Sequence, residues 1–172
     1  MAEKSLLEGK KILVVDDETD VLEILEELLS MCKVVKAATF EEAKALLEAE
    51  DFDMAVLDIM GVDGYALLDI AKRRKIPAAM LTAHAFTPKN LVRSIKKGAV
   101  SYIPKEEISN IVGFLEDIFK AKNEGRSTWE PWQERLPSSY FEKRWGAAWR
   151  DTEDEFWTRF KASVRAKRDA SH

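Results

Sequence analysis

The sequence predicts an α/β fold, a doubly wound five-stranded parallel sheet covered by helices, with a helical C-terminal extension. Two observations predict the sheet. Five short apolar runs alternate with segments that repeat apolar residues at helical spacing, and polar side chains follow four of these runs directly. A third observation separates the extension, because all five tryptophans of the chain lie within residues 129–157.

The predicted strands are short, rich in apolar and β-branched residues, and bounded by polar or turn-forming residues, as buried parallel strands are. They fall within Lys10–Glu18, Lys33–Ala37, Asp53–Leu57, Pro77–Thr82 and Val100–Ile103. Right-handed crossovers between such strands leave the doubly wound sandwich as the leading topology. In that fold the functional crevice lies at the carboxyl ends of the strands.

Helical stripes occupy the segments between these strands and follow the last one. The clearest stripe runs from Ile108 to Phe119, with apolar residues at positions three and four apart. Thr39 followed three residues later by Glu42 predicts a capped start for the second helix.

Composition excludes several classes of function. The net charge is -4, and the charges nearly cancel after residue 122, so we do not expect DNA as a partner. No apolar run approaches the roughly 18 residues that a membrane span needs, so we expect no membrane contact and a cytoplasmic location. The single cysteine, Cys32, cannot form an internal disulfide and fits a buried apolar position.

The polar residues at the predicted strand ends point to one crevice. Asp16 and Asp17 end the first strand, Asp58 ends the third, Thr82 ends the fourth, and Lys105 follows the fifth. Three converging carboxylates repel one another and call for a cation. Carboxylate oxygens without nearby histidine or cysteine suit Mg²⁺, and a lysine with a hydroxyl suits phosphoryl oxygens.

Five motifs in this order resemble the receiver domain of two-component response regulators, over about residues 10 to 121. They are VVDDE at Val14–Glu18, VLDIM at Val56–Met60, DGY at Asp63–Tyr65, MLTA at Met80–Ala83 and GAVSYIPK at Gly98–Lys105. The resemblance implies the flavodoxin-like strand order. One motif alone would be weak, and each acidic residue alone also fits a solvated strand end or a helix cap.

The resemblance implies a role for each residue. Asp58 would accept a phosphoryl group from a histidine kinase, with Lys105 and Thr82 contacting the phosphoryl oxygens. Asp17 and Asp58 would bind Mg²⁺ directly, and Asp16 would bind it through water.

The resemblance implies further that the backbone carbonyl of Met60 would supply another Mg²⁺ ligand. Tyr102 matches the aromatic switch of the family, which turns inward as Thr82 moves toward the phosphate. The change would reach the surface of the fourth helix, fifth strand and fifth helix, where members of the family often dimerise.

The sequence departs from the family pattern at two loops near the site. Glu106 stands where a proline usually follows the lysine, so we expect no cis peptide bond there and an altered loop. The loop from Asp58 to Gly64 is shorter than usual, which affects the carbonyl of Met60 most. His84 lies where the family tunes phosphate loss, and it equally fits an ordinary exposed histidine.

We assign residues 1–122 to the receiver, 123–137 to a linker and 138–172 to a helical, tryptophan-rich extension. Prolines in the linker predict an irregular segment over 125–137. Helices are expected after a cap at Ser138 or Ser139, and after a second cap at Thr152. The apolar faces of two such short helices must be buried on the receiver, on each other or on a partner.

The favoured prediction for this segment is a helical appendage packed on the receiver. The second prediction is a module that binds a second copy of the chain, giving a homodimer, or a downstream protein. Trp145, Trp149, Trp157 and Phe160 are expected to form an apolar surface for protein contacts.

The sequence thus predicts a phosphorylation switch in histidine-kinase signalling that acts through protein contacts. It is not expected to be a metabolic enzyme, since a receiver catalyses only its own phosphotransfer and dephosphorylation. Two alternatives stay open: a transcription regulator with an unusual small DNA-binding output, and an intermediate that passes its phosphate to another histidine protein.

Overall fold

The computed structural model describes residues 5–170, and residues 1–4 and 171–172 lie outside the described part of the chain. The sheet has five parallel strands in the order β2-β1-β3-β4-β5, which confirms the predicted fold class. The strands are β1 (Lys11–Val15), β2 (Lys33–Ala37), β3 (Met54–Asp58), β4 (Ala78–Thr82) and β5 (Ser101–Pro104).

Five α-helices cover the two faces of this sheet: α1 (Thr19–Leu28), α2 (Phe40–Ala49), α3 (Gly64–Arg73), α4 (Pro88–Lys96) and α5 (Ile111–Asn123). A 3-10 helix over Lys105–Asn110 connects β5 to α5. The predicted cap of α2 is confirmed, because the Thr39 side chain accepts a hydrogen bond from the Glu42 N–H at 3.2 Å. Strands β3, β4 and β5 are buried throughout, which explains their nearly continuous apolar sequences.

The strand register brings the predicted polar residues to one edge. Val15 pairs with Leu57, so Asp16 follows β1 beside the end of β3. Thr82 pairs with Pro104, so Lys105 follows β5 beside the end of β4. This edge is therefore the crevice expected for a doubly wound fold, where the strand order changes direction between β1 and β3.

Within residues 5–170, three further α-helices follow the sheet: α6 (Trp129–Arg135), α7 (Ser138–Trp145) and α8 (Asp154–Ala170). The prediction that residues 125–137 are irregular is wrong, because α6 lies within them. Pro131 is the third residue of α6, in the first turn, where a missing N–H removes no helical hydrogen bond. The expected linker therefore contains a packed helix, with Trp129 and Trp132 both buried.

The start of α7 also differs from the prediction, whereas the cap expected at Thr152 depends on a side chain that lies outside the described part of the chain. Pro137 occupies the N-cap of α7, so neither Ser138 nor Ser139 caps it. Helix α7 ends at Trp145, where Gly146 adopts a positive φ of 85°. Helix α8 begins at Asp154, after a short 3-10 turn over Asp151–Glu153. Trp149 therefore lies between α7 and α8 and belongs to neither helix.

The C-terminal helices α6, α7 and α8 pack on the receiver, which confirms the packed appendage. The expected apolar surface for protein contacts is wrong, because Trp149, Trp157 and Phe160 are buried and Trp145 is half-buried. Their rings form a chain of neighbours with centroids 5.2 to 5.4 Å apart from Trp149 through Trp157 to Phe160. Burying rings of this size is the main apolar gain available to such short helices.

Polar contacts join α6 to β5 and α5. The Trp132 indole donates a hydrogen bond to the Tyr102 carbonyl at 2.9 Å. An ion pair links Arg135 of α6 with Asp117 of α5. None of the helices within residues 5–170 combines the length and the apolar character that spanning a bilayer requires.

Candidate functional site

A cleft of about 290 Å³ opens at the carboxyl ends of the strands. It contains most of the site residues predicted from the sequence, and it is polar. Its lining residues are Asp17, Glu18, Asp58, Met60, Gly61, Thr82, His84 and Lys105. Asp16 lies directly behind the cleft and is completely buried.

Lys105 is the centre of the charge network in this cleft. Its Nζ lies 2.8 Å from Asp16 Oδ2, 3.4 Å from Glu18 Oε1 and 3.5 Å from Asp58 Oδ1. Burial lowers the pKa of Lys105, but the neighbouring carboxylates outweigh burial, so its pKa lies above the ordinary value of 10.5. The lysine is therefore a fixed cation that bridges the ends of β1, β3 and β5.

Two carboxylates are held in a poorly solvated position. Asp58 is 5% exposed and Asp16 is not exposed at all. Burial raises the pKa of both groups above the ordinary value of 3.8, and Lys105 opposes the shift in each case. A carboxylate with few water contacts gains more from a new cation than a solvated one does.

The loop after β3 shapes the cleft through two glycines that the sequence reasoning did not single out for a role. The Gly61 N–H donates a hydrogen bond to Asp58 Oδ2 at 3.2 Å. A Cβ at Gly61 would lie 2.2 Å from Asp17 Oδ1, and a Cβ at Gly64 would lie 2.1 Å from the Asp58 carbonyl oxygen. The short loop can approach both aspartates only because these positions lack side chains.

Met60 lies in this same loop and lines the cleft, and its side chain is 67% exposed. His84 is also exposed at the rim of the cleft.

Thr82 and Tyr102 occupy the β4 side of the site. Thr82 is 1% exposed, and its Oγ1 accepts a hydrogen bond from the Ala85 N–H at 3.1 Å, which leaves its own proton free to donate. Tyr102 is fully buried with its hydroxyl donating to the Ala85 carbonyl at 2.7 Å. The hydroxyl also accepts from the Thr87 N–H at 3.1 Å, so the ring lies inward under the β4–α4 loop.

The carboxylates can hold a divalent cation. One oxygen from each of Asp16, Asp17 and Glu18 lies within 4.8 Å of the others. All potential ligands in the cluster are hard oxygen donors, the type that Mg²⁺ prefers. Glu18 was not predicted as a site residue, and its only signal in the sequence is its position directly after the paired aspartates.

Comparison with known proteins identifies a matching protein family. A family model described as the response regulator receiver domain matches residues 12–114. The match covers β1 to the first residues of α5 and ends before the C-terminal helices.

Relatives in other organisms agree with that match. The chain is 41% identical over 101 residues to a probable transcriptional regulator, ycf27, of Cyanophora paradoxa, covering 56% of this chain and 42% of that protein. It is 33% identical over 102 residues to the response regulator protein PilR of Pseudomonas aeruginosa, covering 56% of this chain and 23% of that protein. The chain thus spans less than half the length of these two relatives.

A solved structure shows the same architecture. The CheY-like response regulator receiver domain protein from Methanospirillum hungatei superposes with a TM-score of 0.61 at 32% identity. The similarity covers 68% of this chain and 99% of that chain. The similarity therefore accounts for nearly all of that chain, whereas about a third of this chain has no counterpart in it.

Proposed function

The chain belongs to the response regulator receiver domain family, and from this premise we propose that Asp58 is its phosphoacceptor. The phosphoryl group would come from a phosphohistidine on a partner histidine kinase. One observation carries the assignment: the nearly buried Asp58 carboxylate lies 3.5 Å from Lys105 in a polar cleft that Thr82 also lines.

The chemistry proposed is a single in-line displacement. A carboxylate oxygen of Asp58 forms a bond to phosphorus while the bond from phosphorus to the histidine nitrogen breaks, giving an acyl phosphate on this chain. Phosphoryl transfer needs positioning and charge neutralisation more than covalent help from the protein. Lys105 already lies beside Asp58 and can hold one phosphoryl oxygen, while the free proton of Thr82 can be donated to another.

Mg²⁺ fits the oxygen ligands of this cleft: Asp17 and Asp58 would hold it directly, and Asp16 would hold it through water. The carbonyl of Met60 is proposed as a further ligand, and Glu18 is near enough to join the set. When bound, the ion would neutralise charge on the phosphoryl oxygens. Gly61 keeps the Asp17 carboxylate in place because a side chain there would displace it.

The protein is proposed to act as a phosphorylation switch and not as a metabolic enzyme, with its output through protein contacts. It would catalyse only its own phosphotransfer and dephosphorylation. A phosphorelay intermediate would use the same chemistry and differ only in passing the phosphoryl group on.

Transcription regulation is the second candidate, because the ycf27 relative is named a probable transcriptional regulator. Basic side chains on the exposed face of α8 favour it, namely Arg159, Lys161, Arg165 and Lys167. Against it, Arg159 is paired with Glu155 at 2.6 Å, and acidic residues open the same helix. Binding to DNA fragments at low and moderate salt decides between them, because several phosphate contacts give a steep loss of affinity with salt.

The phosphoacceptor is tested by incubating the protein with Mg²⁺ and acetyl phosphate and measuring its intact mass. The protein should gain one phosphate that is stable in acid and labile in base, and Asp58→Asn should abolish it. Asp63→Asn is the matched control, since Asp63 is exposed in the same loop and lies outside the cleft lining. Full labelling of Asp58→Asn would refute the assignment.

A further inference from the structure

Helix α7 contacts the loop that carries Lys105. The carboxylate of Glu106, the next residue, accepts hydrogen bonds from the Tyr140 hydroxyl and from Arg144 Nε, the latter at 2.8 Å. The Arg144 guanidinium also pairs with it through Nη2 at 2.7 Å. Glu106 is thereby held on the outer side of the loop, while Lys105 points inward to Asp16 at 2.8 Å.

The same helix contacts the loop that follows Thr82. The Trp145 indole donates a hydrogen bond to the Phe86 carbonyl at 3.2 Å. The Phe86 ring lies between those of Tyr102 and Trp145, with centroid distances of 5.4 and 4.8 Å. Phe86 directly follows Ala85, whose N–H is bonded to Thr82 Oγ1.

These contacts come from one side of α7. Tyr140 and Arg144 are four residues apart, and so are Phe141 and Trp145, which places all four on neighbouring rows of the helix surface. Phe141 lies beneath them and is 1% exposed, stacked on Trp132 of α6 at 5.4 Å. Helix α7 is therefore packed on α6 through Phe141 and hydrogen-bonded to the loops after β4 and β5.

We propose that α7 is a positioning element of the phosphoryl-transfer site, acting on Lys105 through Glu106 and on Thr82 through Phe86. The inference rests on the function proposed for Asp58. Lys105 and Glu106 open the 3-10 helix over Lys105–Asn110, so fixing the Glu106 carboxylate fixes the direction of the first turn and the Lys105 side chain. Small displacements of a positioning group lower transfer rates even when the fold is kept.

The test measures the initial rate of Asp58 labelling by acetyl phosphate at saturating Mg²⁺, in the full chain. Tyr140→Phe removes only the hydroxyl, and Arg144→Met removes the charge while keeping an apolar stem. Each should label about 3- to 30-fold more slowly than the wild type, the size of effect typical of residues that couple to a site without touching the ligand. Arg144→Lys should restore part of the loss, since it restores the positive charge.

Two comparisons separate positioning from general support. The double variant Glu106→Gln with Arg144→Met should be labelled no more slowly than the slower of its two single variants, because both substitutions remove the same contact. Arg135→Met is the matched control. It breaks the ion pair of α6 with Asp117, which is remote from the cleft. This variant should be labelled at the wild-type rate, although its thermal unfolding midpoint should change about as much as those of Tyr140→Phe and Arg144→Met.

The outcomes are distinguishable. A wild type that takes no label refutes the proposed function, and this inference with it. Wild-type labelling with unchanged rates in Tyr140→Phe and Arg144→Met overturns the positioning role alone. Equal slowing by Arg135→Met also overturns it, since α7 would then act only by keeping the C-terminal helices docked.

Discussion

Replacing Phe141 by alanine should release the C-terminal helices from the sheet. The ring is 1% exposed and is the hub of the aromatic cluster that joins α6 and α7 to the β4–α4 loop. Its centroid lies 4.9 to 6.0 Å from five other rings, those of Phe86, Trp132, Tyr140, Trp145 and Trp149. No smaller side chain can maintain these contacts, so a cavity remains.

The expected cost follows from burial. Truncating a fully buried phenylalanine to alanine costs about 3–5 kcal/mol, which is a large part of the roughly 5–15 kcal/mol by which domains are stable. With a denaturant slope of about 2 kcal/mol per molar urea, the unfolding midpoint of the helices should fall by about 1.5–2.5 M.

The distribution of tryptophan makes the assay specific. All five tryptophans lie at positions 129–157, so tryptophan fluorescence reports α6 to α8, whereas far-ultraviolet circular dichroism reports the whole chain. In Phe141→Ala the fluorescence transition should precede the circular dichroism transition. Phe119→Ala is the control: this half-buried ring on α5 contacts Lys10 and lies away from the cluster, so both probes should shift together.

Midpoints of Phe141→Ala within about 0.5 M of the wild type by both probes would refute the reasoning, because a shift that small corresponds to only about 1 kcal/mol. Large but equal shifts by both probes would refute the separate release of the helices and show one cooperative unit.

Gly61→Ala should lower the affinity for Mg²⁺ roughly 10- to 100-fold, because a Cβ there would lie 2.2 Å from Asp17 Oδ1. Calorimetric titration measures this affinity, and an unchanged value would contradict the prediction. Tyr102→Phe should lower the free energy of unfolding in urea by about 0.5–1.5 kcal/mol, because the Ala85 carbonyl and the Thr87 N–H each lose the hydroxyl but keep the hydrogen bond that joins them to each other at 3.0 Å. Burial, with a smaller effect of Glu8, raises the pKa of the Cys32 thiol from 9.0 to about 11. At pH 8 the rate of its alkylation by iodoacetamide should therefore be roughly 100-fold lower than the rate for a thiol of pKa 9.0. The rate should continue to rise with pH until about pH 11, and a rate that stops rising near pH 9 would count against this.

The sheet was predictable because its signals are local and agree with one another. The strand β2 has the predicted bounds, Lys33–Ala37, and the polar residues at the strand ends converge as the parallel fold requires. The contribution of Gly61 was not predictable in the same way. Its effect depends on how closely the short loop approaches Asp17, which is a distance that no sequence spacing reports.

The C-terminal helices show the opposite case, in which tertiary packing overrides local signals. Pro131 and Pro137 argue locally against a helix, yet α6 forms with Pro131 in its first turn and ends before Pro137. Burial of Trp129 and Trp132 against the receiver compensates for the short length of α6. The sequence shows that these rings must be buried, but not whether the receiver, a second copy or another protein buries them.

This packing changes where the signal from Asp58 would emerge. A change at Thr82 would reach Ala85 and Phe86 first, and the Phe86 ring is stacked on Tyr102 and packed at a tilt against Trp145. The ring of Tyr102 is completely buried, so it cannot turn outward unless these neighbours move. The face formed by α4, β5 and α5, where dimerisation was expected from the resemblance, carries the C-terminal helices through contacts such as that of the Trp132 indole with the Tyr102 carbonyl. If Asp58 is the phosphoacceptor proposed above, α7 would be the first of the C-terminal helices to respond, and a partner would detect the switch through the position of these helices.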